Sequence, residues 1–273
     1  LIDTSAVNAT GIIVSYDAID STGNNADTVY RTVYIQEVDI IAPIITLNGD
    51  NPLAVEQGSI FSDPGATALD QRDGDISGNI LVSGTVDTNT PGSYTLSYDV
   101  TDAAGNAALT VTRSVVVSDT TIPLITLIGL SPQTVEKGDI YSDLGANASD
   151  NIDGDISANV SATGSVVTQT VGSYIISYNV SDAAGNAAVT ISRTVNVIDT
   201  TAPVITLIGG TPYNQELNTT FTDPGATALD TPSDDLSSSI TVVGSVNTNI
   251  TGIYTLTYNV SDAEGNAAIS VIR

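Results

Sequence analysis

Gly92-Ser-Tyr-Thr-Leu-Ser-Tyr-Asp-Val100 alternates strictly. Tyr94, Leu96, Tyr98 and Val100 point one way and Ser93, Thr95, Ser97 and Asp99 the other. A period of two is the mark of a strand with one face in a core and one in water. The next residues, Asp102-Ala-Ala-Gly-Asn106, lead into a second apolar run, Ala107 to Val117. A loop of that length ending in Gly fits a hairpin whose glycine takes a left-handed conformation. This stretch therefore predicts two antiparallel strands.

The same pattern returns every 80 residues. Tyr98, Tyr178 and Tyr258 recur at that spacing, as do Gly65, Gly145 and Gly225, and Glu56, Glu136 and Glu216. Ala42-Pro43, Ile122-Pro123 and Ala202-Pro203 open three copies. A constant period without insertions means one structural module per repeat. About seven short strands with turn signals in ~80 residues read as a β-sandwich, whereas a β-helix needs shorter repeats. The expected organisation is the C-terminal part of a preceding repeat at 1–40, whole repeats at 41–120 and 121–200, and a repeat at 201–273 that lacks the end of its last strand. The chain reads as a piece of something longer.

Composition narrows the function. The 273 residues carry 31 acids against 6 bases, a formal charge of −25. No basic patch exists to displace counterions from nucleic acid, and an anionic membrane would repel the chain. Cys, His and Met are absent, so neither a disulfide nor a thiolate or imidazole metal site is available, and no Ser-His-Asp or Cys-His machinery can be assembled. An enzyme is not expected. No apolar run approaches the ~18 residues of a membrane span. The acids comprise 26 Asp and 5 Glu. Aspartate belongs to turns and to loops of oxygen ligands, which keeps a hard cation in view.

Taken together, DTTxPxITLxG, VExG, DPGATAxD, DGDIS, GxYxLxY and DAAGNAA resemble the bacterial surface immunoglobulin-like repeats found in tandem in large adhesins and surface proteins. The resemblance covers nearly the whole chain. It implies an all-β chain of immunoglobulin-like sandwich modules arranged as a rod, at an extracellular or cell-surface location. The segment Gly92-x-Tyr94-x-Leu96 also resembles the tyrosine corner of immunoglobulin folds, with Leu96 where antibody domains carry a Cys. By that match Tyr94, Tyr174 and Tyr254 are structural.

Two clusters of carboxylates are candidates for calcium. The first is D-x-x-D-G-D: Asp70, Asp73 and Asp75, then Asp150, Asp153 and Asp155. Crowded carboxylates repel unless a cation or a donor offsets them, and Ca²⁺ accepts six to eight oxygens in flexible geometry. In the third copy Ser233 replaces the middle Asp and Asp234 the Gly, while Asp230 and Asp235 remain. The competing reading makes all of these turn-formers facing water. The second candidate is the stiff inter-module linker, where Asp119 and Asp199 precede Thr-Thr-x-Pro. The DAAGN loops could contribute there, although Asp102, Asp182 and Asp262 could instead bond their own turn amides.

Arg31, Arg113, Arg193 and Arg273 share one repeat position. Strand parity sets Arg113 on the face of Leu109, Val111, Val115 and Val117. Either a bulge turns it outward or its guanidinium lies at the sandwich edge against a carboxylate partner. Seven Asn-x-Ser/Thr sequons occur, which matter only in a host that N-glycosylates.

These readings converge on a structural stalk or spacer of a secreted or surface bacterial protein, stiffened by calcium, its partners being neighbouring repeats. One alternative is a subunit of an extracellular filament, completed by strand addition between chains. Another is a glycan- or protein-binding adhesive module.

Overall fold

Why a lattice of small apolar residues closes into a sandwich is clearest in the first whole module. The structure, a computed structural model, describes residues 8–35, 38–232 and 234–273. Ahead of the module lie β1 (Asn8–Tyr16) and β2 (Val29–Ile35), an antiparallel pair. The module itself contains β3 (Ile44–Leu47), β4 (Leu53–Glu56), β5 (Ala66–Asp70), β6 (Gly74–Asp75), β7 (Leu81–Ser83), β8 (Gly92–Asp99) and β9 (Val111–Ser118). One sheet runs β3-β5-β6 and the other β4-β9-β8-β7. Within the second sheet β4 lies parallel to β9, and the other pairs are antiparallel.

The strand that opened the sequence behaves as its alternation requires. On β8 Leu96 and Tyr98 are buried, Val100 is buried just beyond it, and Thr95 faces water. They meet Ile45 of β3, Ala68 of β5 and Val115 of β9. The second expected strand begins later than Ala107. Only an isolated bridge joins Thr101 to Ala107, Leu109 is exposed, and β9 starts at Val111. The DAAGN loop is tied to itself, so the chain arches before it re-enters the sheet. Gly105 takes φ +95°, the left-handed turn expected. A second glycine is fixed by close approach: a Cβ on Gly84 would stand 2.3 Å from the Thr95 carbonyl.

The chain forms two compact units, residues 1–120 and 121–273. The second unit repeats the architecture in its first sandwich and in reduced form in its second, where residues 213–216 form no strand and the second sheet has three strands. Its first sandwich pairs Gln133–Glu136, Ile191–Ile198, Gly172–Asn179 and Ser161–Thr163 in one sheet. In the last module the final strand is short, Val271–Ile272, and pairs with Thr257–Asn259.

No bulge removes the repeat arginine from the core. Arg113 and Arg193 are fully buried, on the parity that β9 and its counterpart dictate. Arg113 Nε donates to the Tyr98 hydroxyl at 3.1 Å, Nη1 to the Asp50 carbonyl and Nη2 to the carbonyls of Asn48 and Gly65. Its carboxylate partner is Asp63, at 3.4 Å from Nε. The Tyr98 hydroxyl in turn donates to Asp63 at 2.7 Å. Burial, then the Asp63 bond, pushes the Tyr98 hydroxyl above its ordinary pKa, and the same causes take Tyr178 and Tyr258 up to about 12. The phenol therefore keeps the proton it donates. Arg193 with Asp143, and Arg273 with Asp223, repeat the pairing. Arg31 on β2 is exposed, and β1–β2 has no second sheet among the described residues. The corner tyrosines each donate four residues back: Tyr94 to Thr90, Tyr174 to Thr170 and Tyr254 to Ile250.

Asp63→Ala leaves the Arg113 charge without its counterion. The expected loss is roughly 2–3 kcal/mol, below the ~3–5 of a sealed pair because Asp63 keeps some contact with water. It should appear as an early urea transition of one module, with the remaining transitions unmoved.

Candidate metal centre

The two aspartate sets distinguished in the sequence do not form two sites. In the first unit Asp70, at the end of β5, turns inward and meets Asp39 of the preceding linker and Asp102 of the DAAGN loop. One carboxylate oxygen from each lies within 4.8 Å of the others. In the second unit Asp199, Asp230 and Asp262 form the same triad within the same limit. Asp119, Asp150 and Asp182 hold the corresponding repeat positions.

Each member has its own local reason for being there. Asp102 Oδ1 accepts the Asn106 amide and Oδ2 the Asn106 side chain, both at 2.7 Å. That Asn106 side chain also donates to the Asp39 carbonyl at 3.1 Å, which holds the linker against the loop. Asn266 does the same for Asp262 and the Asp199 carbonyl. The DAAGN aspartates thus bond their own turns and line the cluster at once. Burial pushes the Asp102 carboxyl up, but the Asn106 bonds outweigh it and its pKa lies below the ordinary value. Asp182 and Asp262 are lowered by the same balance. Asp70 Oδ1 accepts the amides of Arg72 and Asp73.

The remaining oxygens are the informative ones. Asp39 Oδ2, Asp70 Oδ2, Asp150 Oδ2 and both oxygens of Asp230 are buried without a hydrogen-bond partner. Asp70 is only 5% exposed and Asp230 7%. A buried carboxylate oxygen without a partner is costly, and three carboxylates around one point compound the cost. A hard cation would relieve both. Ligands on opposite sides of Ca²⁺ stand about 4.6–5.2 Å apart, twice the usual metal–oxygen distance. The triads lie within that span, and with oxygen donors alone they fit calcium.

The other aspartates of the D-x-x-D-G-D runs lie elsewhere. Asp73 Oδ2 accepts the Ala103 amide at 2.7 Å, bracing the DAAGN loop from outside, and Asp153 does so for Ala183. Asp75, Asp155 and Asp235 are exposed and accept from the hydroxyl and amide of Ser77, Ser157 and Ser237, which lower their pKa values. These are turn-forming roles. Ser233 lies outside the described residues. Sequence reasoning did not single out Asp63 or assign Asn106 a role. The fixed 80-residue recurrence of Asn106 beside Asp102 was the available signal.

With this geometry in hand, comparison with known proteins is specific. The sequence profile of the bacterial surface protein, Ig-like domain, matches residues 45–117, 125–197 and 205–273. The chain belongs to this family. Bacterial surface Ig-like repeats are surface modules, which supports a structural or adhesive role at the cell surface. Hyalin from Strongylocentrotus purpuratus is 30% identical over 241 residues, 79% of this chain but 19% of hyalin. Among solved structures, the M60 catalytic domain with two CBM51 domains of Clostridium perfringens ZmpB aligns over 94% of this chain and 40% of its own, at 12% identity and TM-score 0.39. Domains 4–9 of the surface layer protein SbsC align over 84% and 42%, at 15% identity and TM-score 0.23. No helix among the described residues is long and apolar enough to cross a membrane.

Because the folded Asp102 pKa is lowered, its stabilising contribution is complete above the unfolded value of about 4 and is lost as pH falls through the folded value. Asn106→Ala removes the side-chain bond, the largest of those that lower it, and keeps the backbone amide's. The acid limb of the unfolding curve should then move to higher pH. An acid limb that stays in place would show that the Asn106 side chain does not set the titration.

Proposed function

We propose that these bacterial surface Ig-like repeats form a spacer stalk of a secreted or surface-attached adhesin-like protein, with calcium bound where one module follows another. The observation that carries this reading is the triad itself. A linker aspartate, a β5 aspartate and a DAAGN aspartate converge, and they leave buried oxygens with no partner. A cation held there grips the linker and the next module together, so it stiffens the junction rather than the sandwich. Extracellular modules typically bind Ca²⁺ with Kd of roughly 10⁻⁴–10⁻³ M, so such a stalk would be loose during synthesis and rigid outside the cell. The strong negative charge keeps neighbouring stalks apart.

The test is a thermal melt in EDTA and in millimolar CaCl₂. Saturation to 100 times Kd adds about 2.7 kcal/mol per site. Asp70→Asn and Asp230→Asn should each reduce the calcium-induced shift, while Asp75→Asn keeps it whole. A chain that melts at the same temperature in both buffers sinks the calcium reading.

A further inference from the structure

The two described triads differ in ways that the repeat does not predict. In the first, Asp39 Oδ2 has no partner. In the second, the matching oxygen, Asp199 Oδ2, accepts from Lys137 Nζ at 3.1 Å. The same ammonium reaches Asp234 at 2.7 Å. Lys137 is the one lysine of the chain, standing where the other repeats have Gln57 and Leu217. Asp234 stands where the other repeats have Gly74 and Gly154. Two departures from the repeat thus meet each other, at one junction.

The surroundings fix the encounter. Lys137 lies in the turn after Gln133–Glu136, and its side chain is 12% exposed, while that of Asp199 is 1% exposed. The neighbouring Gly138 packs so closely on Pro232 of the next module that an added Cβ would stand 3.2 Å from the proline ring. Pro232 itself occupies the position of Arg72, whose amide donates to Asp70. Having no amide hydrogen, Pro232 offers Asp230 no such bond, and both Asp230 oxygens stay without a partner. The Asp234 and Asp199 bonds hold the Lys137 ammonium above its ordinary pKa, so it remains charged.

We propose that Lys137 is a resident cation of the Asp199–Asp230–Asp262 site: it latches this junction through Asp199 and Asp234 without calcium, and it weakens calcium binding there relative to the Asp39–Asp70–Asp102 site. This rests on the reading of the triads as calcium sites. The ammonium occupies an oxygen that the first triad leaves open for a metal. It also repels a divalent ion. At ~5–6 Å, even with water-like screening, that repulsion weakens binding about tenfold. The junctions of one chain are therefore graded, one closed in advance and another waiting for the ion.

The experiment is a calcium titration by calorimetry on the full chain carrying Asp70→Asn and Asp150→Asn, which leaves the Asp230 site intact, with and without Lys137→Gln. The glutamine is the residue at this position one repeat earlier. Lys137→Gln should tighten the remaining site about tenfold without changing its stoichiometry. In EDTA, the same substitution should speed hydrogen exchange of the Asp199, Thr200 and Thr201 amides. If the parent chain with all triads intact binds no calcium, the calcium reading fails. If it binds calcium but Lys137→Gln leaves the remaining affinity unchanged, the Lys137 proposal fails and the calcium reading stands. Unchanged amide exchange in EDTA would overturn the latch.

Discussion

A guanidinium sealed inside each sandwich is the constraint on which the rest depends. The module is small and its core is mostly Val, Ile, Leu and Ala around one tyrosine. Into this core each whole repeat inserts an arginine that cannot lose its charge. The fork of Arg113 is satisfied only when the carbonyls of Asn48, Asp50 and Gly65, the Tyr98 hydroxyl and Asp63 all stand in place. Those acceptors come from two loops and the neighbouring strand. An apolar side chain of similar volume could hold the sheets together as well. It could not also set the position of the turns after β3 and before β5.

That placement reaches the far end of β5. The strand is clamped at Gly65, so its last residue, Asp70, is delivered to a definite point inside the module's end. There it meets a linker aspartate and the DAAGN aspartate. The Asn106 side chain, shared between Asp102 and the linker carbonyl, sets the linker's height over the loop. Glu56 and Glu136 act nearby, accepting from the linker threonines Thr120 and Thr200. The end of each module is built to hold the chain that enters or leaves it, and its concentration of negative charge is a consequence of where these elements converge.

The strands and their period were legible because one face of each is buried. The alternation of Tyr94, Leu96 and Tyr98 needs nothing beyond its own sequence to be read. The arginine was legible by parity but not by environment: three of its acceptors are backbone carbonyls, which no side-chain pattern records. The triads were partly legible. Asp70, Asp73 and Asp75 are neighbours in sequence and were read as one site, whereas the fold gathers Asp70 with residues 31 before and 32 after it. The last module carried a hint, since it changes the middle of the D-x-x-D-G-D run yet keeps Asp230 and Asp262. Lys137 was invisible as a partner of the site, because Asp234 lies 97 residues away.

The parallel pairing of β4 with β9 has a mechanical meaning. The strand that leaves the module, Val111–Ser118, lies beside Leu53–Glu56 in the same direction, and Glu56 grips Thr120 just past its end. When tension is applied between a module's two ends, a hairpin would open one rung at a time. A parallel pair loaded along its length must yield all its rungs together. The two modules that carry this pair, 41–120 and 121–200, therefore resist being drawn out by shear.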